Sequence, residues 1–129
     1  MRLADLTGAA LVGGTLEAAD FTGANLRGAL VRESSLDSAR LTLANLVEAQ
    51  LEFGSAIGSH FNGANLDHAV IYQLMAEKAD FEGASLRKAK FEQATLIGAS
   101  FVNANCFETD FHGADLQGAD FTGAVGLST

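Results

Sequence analysis

The sequence predicts an all-β solenoid: a quadrilateral parallel β-helix of about six coils of four pentapeptides, with no large helical domain. Three observations carry the prediction. Leu or Phe fills 19 of the 24 positions taken at every fifth residue from Leu6 to Phe121. Ala fills 19 of the 25 positions that lie two residues earlier, from Ala4 to Ala124. Eleven of the 14 glycines fall two residues after the Leu/Phe positions. The register never slips, so internal repetition governs every other reading.

A period of five fits neither regular element. On an α-helix every fifth residue advances by about 140° beyond a full turn, so the Leu/Phe series would spiral over all faces. On a flat strand an odd period sends successive members to opposite sides. The pattern works when each repeat holds a short extended part and a bend. Ala and Leu/Phe, two apart, then point the same way. The following two residues turn the chain, and Gly in second place suits the positive φ of a type II turn. A chain that bends identically at every repeat coils around its own Leu/Phe side chains. Absence of Pro fits, because extended residues then keep the N–H that pairs with a neighbouring coil.

The number of sides follows from which residues recur. Of the seven Phe at central positions, Phe21, Phe61, Phe81, Phe101 and Phe121 share one residue class modulo 20, and Phe91 and Phe111 share another. Asn25, Asn45, Asn65 and Asn105 also recur at 20, with Ser85 in the gap. Like residues stack when successive coils lie directly above one another. Four repeats per coil result, with Leu6, Leu26, Leu46 and Leu66 forming a core column beside the column of Phe21, Phe61, Phe81, Phe101 and Phe121. Residues 1–129 are expected to form one domain, with repeats over 4–124.

Written as motifs, the chain contains ADLTG, ADFTG, ANLRG, FNGANLDHA, ADFEG, ADLQG and a second ADFTG. It resembles the pentapeptide-repeat family, whose consensus is A(D/N)LxG, from Ala4 to about Ala124. The resemblance implies a right-handed coil with Leu/Phe and Ala inside. Some members of that family are similar to DNA in shape and acidity and occupy the DNA site of type II topoisomerases, which makes such a role an alternative here. Gyrase-protecting members dimerise through a C-terminal helical module, which VGLST after the last repeat does not supply.

Composition narrows the function. Eight basic against 16 acidic residues give a net charge of −8, and 48% of residues are hydrophobic, too many for a disordered acidic chain. One Cys excludes a disulfide framework or a Cys-based zinc site within one chain. Asp5 and Thr7 interrupt the first apolar stretch, which makes it a poor secretory signal. No stretch approaches the roughly 20 apolar residues of a membrane span. A cytoplasmic protein is expected. A coil filled by its own Leu, Phe and Ala leaves no pocket, so no catalytic residue, metal site or cofactor is assigned. His60, His68 and His112 fall on three different sides. Cys106 takes a core position and reads as a small buried hydrophobe. Asp110–His112 and Ser59–His60 lack a third partner, and the Asp/Asn column is expected to bond the backbone.

Charge tests the DNA-like reading. A duplex carries one charge per about 1.7 Å, so about 30 Å of it would carry roughly 18. Sorted by side, this chain's net charges are −2, −1, −2 and −3, summing to −8. Arg27, Arg87 and Lys88 break up one side, and Arg2 and Arg40 another. Such mixing suits a solvated surface, without direct nucleic-acid binding, better than a mimic.

Two interruptions remain. The core position falls on Ala56 and, one coil later, on Ala76, while Phe53, Ile57, Tyr72 and Met75 occupy outward positions. Either Leu74 or Ile57 turns inward, with a bulge around Tyr72–Lys78, or the four outward residues form an apolar patch for a partner. The terminal coils lack a covering helix, and open coil ends invite association. The expectation is a non-enzymatic protein-interaction module with an unknown protein partner, present as a monomer or an end-to-end homo-oligomer. Its alternative is an acidic rod that binds a type II topoisomerase.

Overall fold

In the computed structural model, which describes residues 1–127, each repeat makes three extended residues and a two-residue corner. Ala24, Asn25 and Leu26 show the arrangement: Ala24 and Leu26 are buried, and Asn25 between them reaches solvent. The central carbonyl closes the corner, as where Leu26 accepts the Ala29 N–H at 3.0 Å. Every corner from Leu3 to Gly123 places its second residue at φ between +53° and +72°. This is the type II geometry that the glycine positions predict. Fourteen of these corner residues are not glycine, Phe53 and Lys88 among them. An L side chain there costs about 1–2 kcal/mol, so the ladder imposes the conformation whatever residue arrives.

The ladder pairs each outward residue with the one 20 positions on. Parallel bridges run without a break from Asp5↔Asn25 to Asn105↔Val125. Five residues per corner and 20 per coil make the cross-section four-sided. The first side holds the repeats centred on Leu6, Leu26, Leu46, Leu66, Leu86 and Cys106. The second side runs from Leu11 through Leu51 and Ile71 to Phe111, and the third from Leu16 through Ala56 and Ala76 to Leu116. The fourth runs from Phe21 to Phe121.

Phe rings stack up the fourth side as the modulo-20 pattern requires. Phe61, Phe81, Phe101 and Phe121 lie 4.8, 5.0 and 4.7 Å apart, with rings within 6° of parallel. Phe91 meets Phe81 and Phe101 edge-on at 5.5 and 5.9 Å. Each such pair adds about 0.5–1.5 kcal/mol beyond burial. Phe21, Leu26, Leu46, Leu66, Phe61, Phe81 and Phe101 are buried core. Leu6 and Phe121, expected in that core, are only partly buried. Each lies in a terminal coil and is covered from one direction only.

The interrupted third side keeps its register. Ser55, Met75 and Thr95 bridge in sequence, so there is no bulge at Tyr72–Lys78. Leu74 points inward and is 1% exposed, filling the space that Ala56 and Ala76 leave, whereas Ile57 stays outside. The Leu has in effect moved two residues back along the repeat. Beneath it lies Gly54, where an added Cβ would come within 2.5 Å of the Ser34 carbonyl oxygen. Buried Ser34 donates its hydroxyl to the Leu11 carbonyl at 2.5 Å, as Ser59 does to Ala56 at 2.6 Å. These positions take Ser in place of Ala without leaving a buried donor unpaired.

Substitution toward the repeat's own consensus is therefore expected to fail at two places. Leu74→Ala should destabilise by about 2–5 kcal/mol through the cavity it opens, with Ala76→Leu in the same chain restoring part of the loss. Gly54→Ala should destabilise by about 1–3 kcal/mol through overpacking against Ser34. Urea unfolding followed by circular dichroism measures both.

Candidate functional site

Outward side chains must first be separated into those that serve the coil and those left over. Backbone bonds take four of the five N–H groups in an interior repeat: Leu26 and Gly28 donate to the next coil, Asn25 to the previous one, and Ala29 to its own turn. The first corner residue keeps an N–H without a backbone acceptor. The Asp/Asn one position before the central residue fills that need. Asn25, Asn45, Asn65 and Asn105 accept from Arg27, Val47, Asp67 and Phe107 at 3.0–3.2 Å. Asp5, Asp20, Asp80, Asp110, Asp115 and Asp120 do the same. At Ser85 and Ser55, which replace them, the carboxylate arrives from the coil below, whereas Ser100 accepts the Val102 N–H itself at 3.4 Å. Asp67 accepts the Arg87 N–H at 2.9 Å and the Ser85 hydroxyl at 2.5 Å. Asp37 does likewise for Ile57 and Ser55. Much of the acidic charge thus belongs to the fold.

What the coil does not use collects across the third side: Phe53 and Tyr72 at its corner with the second side, Met75 along it, and Ile57 at its corner with the fourth. Phe53 is 47% exposed and Met75 48%, with Ile57 at 39% and Tyr72 half-buried. Tyr72 packs edge-on against Phe53 at 5.6 Å, and its hydroxyl donates to Gln93 Oε1 at 3.1 Å. In register above Ile57 come Glu77 and then Ile97, also exposed. Glu33, Asp37, Glu52, Glu77 and Glu92 surround these residues. The cations nearby are Arg32, paired with Glu52 at 2.9 Å, and Lys78. Other exposed large hydrophobics, such as Leu43 and Phe107, lie at other corners, and Val12 is three coils before Tyr72 in the same column.

The family model for pentapeptide repeats matches in eight copies over residues 1–37, 44–83, 77–105 and 104–126. The chain belongs to the pentapeptide repeat family. No curated protein matches it. Among solved structures it is similar to HetL, a pentapeptide repeat protein involved in heterocyst differentiation regulation in the cyanobacterium Nostoc. Identity is 31% and the TM-score 0.61, over 97% of this chain and 62% of HetL. It is also similar to QnrB1, a plasmid-mediated fluoroquinolone resistance protein. There the identity is 20% and the TM-score 0.61, over 96% of this chain and 68% of QnrB1, which shows the fold alone. The chain spans less than two thirds of HetL's length.

The pentapeptide coil keeps the reactive residue types apart. His60, His68 and His112 are exposed on the fourth, first and second sides. The Asp110 carboxylate accepts the His112 backbone N–H at 2.9 Å and is thereby engaged. A recess of about 510 Å³ opens at the last coil, lined by Cys106, Thr109, Asp110 and Phe111 among others. Burial pushes the Cys106 thiol up to about 11, which holds it as an unreactive thiol at neutral pH. Sequence reasoning missed Ile97 and Glu77 as neighbours of Ile57, although the spacing of 20 links all three. It missed Gln93 because nothing in the pattern announces a hydroxyl reaching across a corner.

Asp5, Asp20 and Asp120 carry a pH signature. Each accepts a Thr hydroxyl at 2.6 Å and that residue's N–H, and these bonds hold the carboxyl below the ordinary carboxylate value. A carboxyl lowered in the folded state contributes stability that is complete above its unfolded value near about 4 and is lost as pH falls through the folded value. Replacing all three by Asn keeps the acceptor and removes the titration. The triple variant should show a flatter acid limb in thermal midpoints measured from pH 7 down to 2.

Proposed function

We propose that the chain is a non-enzymatic, cytoplasmic interaction module, a right-handed rod of about six coils that holds a protein partner against its third side. One observation carries the reading. Phe53, Ile57, Tyr72 and Met75 form a cluster that the coil has no use for, on a backbone whose register runs straight through it. Exposed aromatic and Met side chains that cluster are enriched in protein interfaces. The family supplies a repeat scaffold, and HetL's part in regulating differentiation is compatible with binding in place of chemistry.

The reading as an acidic rod for a type II topoisomerase rests on net charge and on the resemblance. It is the weaker one, because ten Asp and Asn carboxyl or amide groups already serve backbone N–H groups along the coil, and Arg27 and Lys88 pair with Glu48 and Glu108.

The proposal is tested by cross-linking in extract of the native cell, comparing the natural chain with a Phe53→Ser/Met75→Ser variant of unchanged circular dichroism. A specific cross-linked protein that the variant loses is the expected result. A partner retained in full by the variant, or none with either chain, overturns the assignment of the face.

A further inference from the structure

Resting on the interaction reading, the geometry points to the chemical class of the partner: an amphipathic, cationic α-helix lying along the rod axis on the third side. Three features of this face select it. First, the sides offer no free sheet edge, because N–H groups of successive coils already pair with carbonyls above and below. An added strand would find nothing to pair with, which leaves recognition by side chains. Second, the exposed apolar residues follow the axis. Ile57 and Ile97 stand two coils apart in one column, about 10 Å at the usual inter-strand spacing. A helix parallel to the axis presents residues i and i+7 about 10.5 Å apart, so two successive apolar anchors fall on the two isoleucines.

Third, the face is acidic where such a helix would carry its next contact. Glu77 lies between Ile57 and Ile97, and its Oε2 is buried with no hydrogen-bond partner. Glu52, 9% exposed beside Phe53, likewise has a buried Oε2 without a partner while its other oxygen meets Arg32. Among the described residues Glu77 joins none of the ion pairs, so its carboxylate charge is left for a Lys or Arg of a partner to meet. Around the cluster stand five carboxylates against Arg32 and Lys78, and Asp37 among them is committed to Ser55 and Ile57. A cationic residue one helical turn from each apolar anchor meets this charge. An acidic or purely polar helix does not.

The test uses a fluorescently labelled Leu/Lys peptide of about 18 residues, patterned as an amphipathic helix of five turns, with anisotropy as the readout. The full chain should bind it, and the same peptide with Glu for Lys, or Ser for Leu, should not bind. An Ile57→Ser/Ile97→Ser variant should weaken binding about tenfold or more, and Glu77→Gln by about three- to tenfold. Leu43→Ser, on the fourth side, should leave it unchanged. Should the double variant lose its fold by circular dichroism, Met75→Lys, at an exposed position, replaces it and should weaken binding as strongly. Equal binding by the third-side variants and the natural chain would mean charge adsorption only, and overturns the inference. Equal binding of the Lys/Ser peptide does the same. No peptide binding, with the cross-linked partner still dependent on Phe53 and Met75, overturns the helix and leaves the interaction face standing.

Discussion

Pairing between residues twenty apart is the constraint from which the remaining features follow. It commits three N–H groups of an interior repeat to the neighbouring coils, sets the corner dihedral regardless of residue type, and leaves one donor per corner to be satisfied by a side chain. The Ala, Asp/Asn, Leu/Phe and Gly positions are four answers to that single demand. Ala is small enough for the inner corner, Asp or Asn accepts the leftover N–H, Leu or Phe fills the axis, and Gly relaxes the corner. Departures are met locally. Outward Ser55 and Ser85 borrow a carboxylate from the adjacent coil, and inward Ser34 bonds a turn carbonyl.

The fold was legible because its rules are periodic. Modulo-20 recurrence of Phe61, Phe81, Phe101 and Phe121 announced a stack whose rings lie about 5 Å apart and nearly parallel. The same arithmetic identified Ala56 and Ala76 as neighbouring gaps and named Leu74 as one residue able to fill them. Which of Leu74 and Ile57 turned inward was not legible, because it depends on the room that Gly54 leaves, a property of three-dimensional contact. Positive φ at Phe53 and Lys88 was equally hidden, since propensity argues against it and only the surrounding ladder enforces it. For the candidate site, the four residues first singled out do border one side, Phe53 and Tyr72 at one of its corners, Ile57 at the other and Met75 between. The carboxylates of Glu52 and Glu77 emerged only from burial, which sequence spacing does not report.

The division between fold and surface bears on how acidity is read in repeat proteins. A net charge of −8 invites comparison with nucleic acid. Here, however, the carboxylates of Asp5, Asp20, Asp80, Asp110, Asp115 and Asp120 are directed back at the chain's own corners. The carboxylates free to meet a partner are fewer and unevenly placed, and on the third side they alternate with apolar residues. Local pattern there says more than total charge.

The uneven distribution of aromatic rings gives the rod a polarity of cohesion. From Phe81 onward two adjacent sides carry interlocked rings, whereas the early coils are filled by Leu and Val with the single ring of Phe21, and keep a void of about 10 Å³ between Leu11 and Leu51. Because each coil touches only its neighbours, separation can begin at one end and travel. The Leu-filled coils are the softer end, so peeling starts there and the phenylalanine columns act as the brake.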